Sequence, residues 1–239
     1  MMRYLSLTLI AFMLILFTFS FQELPNIGDP NSPAATHVSP YYIEKAYEDT
    51  GASNLVTAVL ISYRGFDTLG ETIVIFIAGI ATMSIISFYY QGQELVRQEE
   101  RGFGGYVLDT SFRYMVPVVL MYGVYILVHG EYSPGGAFQA GALLAFGVIS
   151  SQLIRGRIQV ITIKQSILLA GFGVLIFLSV GIAGFFYQGV FLELDVLPTS
   201  TEELGHAIGI LIIEVGVALC VMATILVIYS ALEREMPDV

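Results

Sequence analysis

Residues 204–232 read LGHAIGILIIEVGVALCVMATILVIYSAL, an apolar run broken by one carboxylate, Glu214, and one imidazole, His206. A helix needs about 20 apolar residues to cross about 30 Å of hydrocarbon, so this run reads as a membrane span carrying a single buried acid. Five further runs are similar: Leu5 to Phe21, Thr72 to Tyr90, Phe112 to Gly130, Gly135 to Ile154 and Gln165 to Phe186. They lack the alternating polar positions of a transmembrane barrel. The expectation is an all-α integral membrane protein with about six transmembrane helices.

The composition fits this expectation. Charged residues make up 13% of the chain, hydrophobic residues 56%, and the mean hydropathy is +0.76. Soluble domains carry about a quarter of their residues as charges. The net charge of −10 is concentrated between the apolar runs, and no basic patch suggests nucleic acid as a partner. Membrane lipid is the expected surrounding. One cysteine, Cys220, cannot form an intrachain disulfide or a thiol-rich metal or iron–sulfur site. The sequence has no phosphate-binding glycine loop, HExxH or GxSxG, so no catalytic centre or cofactor is expected in this chain.

Basic residues orient the spans. With six crossings and cytoplasmic termini, Arg3, Arg97, Arg101, Arg113, Arg155, Arg157, Lys164 and Arg234 fall on the cytoplasmic side, leaving Lys45 and Arg64 outside. The first run follows Arg3 and also resembles a signal peptide, but no small-x-small cleavage site follows, and we read it as a retained helix. Leu55 to Tyr63 is too short to cross and reads as a half-helix near residues 54–64, dipping in from the outer face, or as the start of a broken span. The chain divides into residues 1–91, a cytoplasmic linker over 92–111, and a four-helix segment over 112–239. Expected helix starts are a capping box at Thr68 to Glu71, Ser133-Pro134, Thr199 to Glu203, and Ser39-Pro40.

Several residues are candidates for an ion pathway. Glu214, about ten residues into the last span, costs about 2.5–3.5 kcal/mol if left charged against lipid, so it should face protein or water. It is either a proton or sodium relay or a buried contact between helices. His206 lies two turns away on a similar face and either extends a polar path or is an interfacial residue. Arg64, Asp67 and Glu71 crowd one turn, forming either an ion-path mouth or a paired, capped break between helices. His129, in the turn His129 to Gly136, is a possible proton carrier, whereas turn chemistry alone explains its glycines. A lone His with one Glu is a poor metal site. Gly135 and Gly136 permit a tight turn. Gly141, with Ala137 and Ala145, and likewise Gly205 with Gly209, form small-residue faces for close helix packing.

Two stretches carry a resemblance. Val38-Ser39-Pro40-Tyr41-Tyr42-Ile43-Glu44-Lys45-Ala46-Tyr47, Thr50-Gly51, Asn54-Leu55-Val56-Thr57 and Tyr63-Arg64-Gly65-Phe66-Asp67-Thr68-Leu69-Gly70-Glu71 resemble the C-terminal segment of MrpA-type antiporter subunits. His129-Gly130, Ser133 to Phe138 and Glu214-Val215-Gly216-Val217 resemble the MrpB, or MnhB, subunit. The sequence departs from the family at Ser62, often acidic there, and at Glu131-Tyr132 and Ala137. The resemblance implies a fusion of two neighbouring subunits in a multisubunit cation/proton antiporter module, moving Na⁺ or H⁺ in a prokaryotic plasma membrane. It also implies other Mrp-type subunits and a redox arm as partners, as in hydrogenase or sulfane reductase complexes, with iron–sulfur clusters only in those partners. Other readings are a purely structural assembly role, membership of a stand-alone Na⁺/H⁺ antiporter, and an independent transporter. The last is disfavoured because no internal repeat is visible.

Overall fold

The structure is a computed structural model that describes residues 2–89, 105–155, 161–187, 189–195 and 197–233. Among the described residues six helices are long and apolar enough to span a membrane. They are α1 (Met2–Gln22), α4 (Gly65–Tyr89), α5 (Tyr106–Val128), α6 (Ala137–Arg155), α7 (Ile163–Phe186) and α8 (Glu202–Glu233). Shorter elements complete the described fold: a π-helical turn (Ala34–Val38), α2 (Ser39–Thr50), α3 (Leu55–Thr57) and a second π-helical segment (Ala58–Tyr63). Among the described residues there is no strand.

The chain forms two compact units, Met1–Lys45 and Ala46–Val239. The first is dominated by α1, whose described side chains are all exposed. In the second, α8 packs against α4, α6 and α7, while α5 packs on α6. Ile210, Ile213, Val217 and Cys220 of α8 are fully enclosed, as is Phe177 of α7.

Close helix approach depends on missing side chains. A Cβ on Gly141 would stand 2.7 Å from the Ala218 carbonyl, so α6 meets α8 where that glycine lies. Gly173 and Gly216 make the equivalent contact between α7 and α8, each facing the other's carbonyl oxygen. Small residues let backbones come together where lipid offers no competing hydrophobic drive. Gly205 and Gly209 behave differently from the expectation: their neighbours are Leu194, Leu197 and Thr199 of the α7–α8 loop, not another helix.

The remaining differences concern helix starts. α4 begins at Gly65, so Thr68 is helical and its hydroxyl donates to the Leu60 carbonyl (2.6 Å) instead of capping. This bond ties α4 to the π-helical segment before it. α6 begins at Ala137, because Gly135 and Gly136 adopt backbone angles that a helix cannot (φ 156° and 101°). Ser133 donates back to the His129 carbonyl across the turn. α7 is closed by a capping box between Thr162 and Gln165, and Thr201 accepts the Leu204 N–H at the start of α8. α2 stops at Thr50, with Gly51 following at φ 67°.

Residues 92–104 of the expected linker lie outside the described residues, as do Arg97, Arg101, Arg157 and Arg234. Residues 106–111 are already helical: α5 starts after Gly105, and Asp109 pairs with Arg113 one turn on (3.5 Å).

Candidate ion-path site

Three connections meet at one end of the bundle: residues 51–64, the α5–α6 turn, and the α7–α8 loop. α8 reaches them with Glu214 and His206. Glu214 is 4% exposed although its helix is long and apolar. Space for its carboxylate comes from glycines in the turn. A Cβ on Gly130 would fall 2.6 Å from both carboxylate oxygens, and one on Gly136 would fall 3.7 Å from Oε1. Among the described residues no hydrogen bond reaches this carboxylate.

The turn is held by the broken element that precedes α4. The Asn54 side-chain amide donates to the carbonyls of Gly130 (2.7 Å) and Ser133 (2.9 Å). Thr57 Oγ1 donates to the same Gly130 carbonyl (2.6 Å), and the Asn54 backbone N–H donates to the Glu131 carbonyl (2.8 Å). Asn54 Oδ1 meanwhile accepts from the Val56 N–H, capping α3. One asparagine thus begins a short helix and fixes the backbone of a turn 76 residues away. Buried carbonyls are costly without partners, and these bonds supply them.

His206 is buried at 6% exposure, two turns from Glu214. Both ring nitrogens are engaged: Nε2 with the Ser62 hydroxyl at 2.7 Å, and Nδ1 with the Asp195 carboxylate. Ser62 comes from the π-helical segment. Asp195 comes from a loop that folds back on α7, where the Leu192 N–H donates to the Gly181 carbonyl (3.1 Å). Leu194 is enclosed beneath that loop, against Gly209. Glu131, half-buried in the turn, is within electrostatic reach of both His206 and Glu214. Burial pushes the Glu131 carboxyl above its ordinary range, and His206 partly offsets this.

The structure therefore gives His206 two partners that the sequence reading did not single out as a group, Ser62 and Asp195, and sets Glu131 next to the glycine that lies against Glu214. The other candidates lie elsewhere. Arg64 and Asp67 pair at 2.5 Å with side chains 60% and 52% exposed, and Glu71 is exposed on the same helix. His129 ends α5, stacked on Tyr125 with its Nδ1 against the Tyr125 carbonyl (3.0 Å). Gly135 lies against Ile126, and Gly136 faces Glu214. Among the described residues no group of three or more His, Cys, Asp or Glu is placed to hold a metal ion.

Residues 107–227, which contain the turn and Glu214, match the family described as a domain related to the MnhB subunit of Na⁺/H⁺ antiporter. The chain belongs to that family. Residues 30–101, which contain Asn54, Thr57 and Ser62, match a second family, MbhE of MBH. This MnhB-related chain is 25% identical over 231 residues to the probable K⁺/H⁺ antiporter A/B protein of Rhizobium meliloti, covering 85% of this chain and 23% of that one. It thus spans about a quarter of that relative's length. Its fold resembles a chain of the Mrp complex from Dietzia sp. (TM-score 0.67, 26% identity), covering 99% of this chain and 26% of the other. It also resembles a chain of the membrane-bound sulfane sulfur reductase, an archaeal respiratory membrane complex. There the TM-score is 0.69 with 27% identity, covering 97% of this chain and 98% of the other. The MnhB-related chain is an antiporter-type, multi-pass membrane subunit of a kind found in multisubunit complexes.

Proposed function

We propose that this chain is a non-redox transmembrane subunit of an Mrp-type cation/proton antiporter module within a redox-driven ion-pumping complex, of the sulfane reductase or hydrogenase kind. In this reading Glu214 belongs to a Na⁺ or H⁺ path. Partner subunits supply the rest of the antiporter module and a redox arm with iron–sulfur clusters. The termini face the cytoplasm of a prokaryotic cell.

The observation that carries the ion-path role is the buried Glu214 carboxylate in a pocket opened by Gly130 and Gly136. An ionisable group inside a membrane is costly, and one held without a fixed counter-charge suits loading and unloading of a cation. The redox-driven setting is supported by the end-to-end correspondence with the sulfane reductase chain. The Rhizobium and Dietzia likenesses favour a second setting, a stand-alone antiporter.

Two experiments test this. Glu214→Gln in vesicles carrying the native complex should leave assembly intact and lower ion translocation about a hundredfold or more, the scale of a lost proton-transfer group. Unchanged translocation would make Glu214 a structural contact. Mass spectrometry of the complex pulled down with this chain should find iron–sulfur subunits; recovery of antiporter subunits alone would leave the stand-alone setting.

A further inference from the structure

Glu214 is enclosed, so a path that uses it needs a port at the loop end of the bundle. His206 is eight residues away, about 12 Å along the helix axis. That is far beyond a hydrogen bond of about 2.7–3.2 Å. An intermediate group is required, and the acid of the turn, Glu131, is half-buried and follows Gly130, which lies against both Glu214 carboxylate oxygens. Beyond His206, the Asp195 side chain is 50% exposed while the imidazole is 8% exposed. The Asp195–His206 contact therefore runs from the exterior into the interior.

We infer that Asp195, His206 and Ser62 form the proton port to Glu214, with Asp195 the residue that orients the His206 imidazole. This rests on the ion-path reading of Glu214. A proton taken up by the exposed Asp195 carboxylate moves to Nδ1, leaving the carboxylate ionised. The ring releases a proton from Nε2 toward Ser62 and Glu131, and Glu131 passes it to Glu214. The ring then resets by exchanging tautomers, so no proton is gained or lost over the cycle. Ser62 engages Nε2, the ring nitrogen that Asp195 leaves free. Among the described residues, Glu193 of this loop accepts the Val190 N–H (2.6 Å), and Arg64 pairs with Asp67.

The test uses the intact complex in liposomes with a pH-sensitive dye inside, comparing Asp195→Asn, Asp195→Glu, His206→Gln, Ser62→Ala and Glu214→Gln. Asp195→Asn and His206→Gln should each slow proton translocation about a hundredfold while the complex stays assembled. Asp195→Glu should restore most of the rate, because it keeps the carboxylate. A merely structural brace would tolerate Asn, which retains a hydrogen-bond acceptor. Wild-type rates in Asp195→Asn, alongside a defective Glu214→Gln, overturn the port and leave the ion-path reading standing. Wild-type rates in Glu214→Gln overturn that reading itself. If Asp195→Asn fails to assemble, Ser62→Ala and Asp195→Glu decide: a slowed Ser62→Ala with an active Asp195→Glu supports the port, and an unchanged Ser62→Ala overturns it.

Discussion

The stretch Arg64 to Glu71 and the turn His129 to Gly136 are both dense in polar residues and glycines, and both lie beside a helix end. Their surroundings are opposite. At Arg64 to Glu71 the charges pair with one another or remain exposed, while Thr68 and Leu69 are buried and Phe66 meets Phe191 edge-on. At the turn the glycines face inward, the carbonyls are held by Asn54 and Thr57, and a carboxylate from α8 fills the space where side chains would be. The same residue classes make an exposed ion pair in one place and a buried acidic pocket in the other. Exposed pairs are worth at most about 1 kcal/mol, because solvent competes for both partners. A buried acid has no such alternative, so its neighbours are constrained atom by atom.

The largest effect should follow from closing the buried pocket. Gly130→Ala places a methyl group 2.6 Å from both Glu214 oxygens, and overpacking of this kind costs about 1–3 kcal/mol. Thermal stability of the complex should fall and translocation should be lost with it; an unaffected variant would show that the turn can move away from Glu214. Gly141→Leu should act just as strongly but differently, preventing assembly by separating α6 from α8, as seen by native electrophoresis. Asn54→Ala comes next. It leaves the Ser133 carbonyl without its partner and the Gly130 carbonyl with only Thr57, an expected loss of about 1–3 kcal/mol. Chemical denaturation in detergent would detect it. The smallest effect belongs to the exposed stretch: Arg64→Ala should change stability by less than about 1 kcal/mol. A larger loss, seen only in the assembled complex, would place a partner subunit over this face.

Much of the architecture was legible without coordinates. Each span is a run nearly free of charge, because a helix in hydrocarbon satisfies its own backbone and cannot expose charge to lipid cheaply. The half-helix at 54–64 was legible as a run too short to cross. Boundaries were less so. Thr68 to Glu71 has the pattern of a capping box, yet the hydroxyl of Thr68 found the Leu60 carbonyl and the helix began a turn earlier. Local patterns state what a residue can bond, not which partner arrives first in space.

By itself the sequence determined that Glu214 and His206 would share one helix, since the 204–232 run is apolar and long enough to cross a membrane. It also placed glycines where a tight turn was needed. Only the tertiary structure decided that this turn closes over Glu214, and that Ser62 meets His206 across 144 residues. The same holds for Asp195, an ordinary loop acid until the α7–α8 loop folds back on α7. Depth in a membrane follows from local hydropathy, which one run contains in full. The partners of a buried polar group depend on which distant backbones can approach, and here that was settled by packing around Gly130, Gly141 and Gly216.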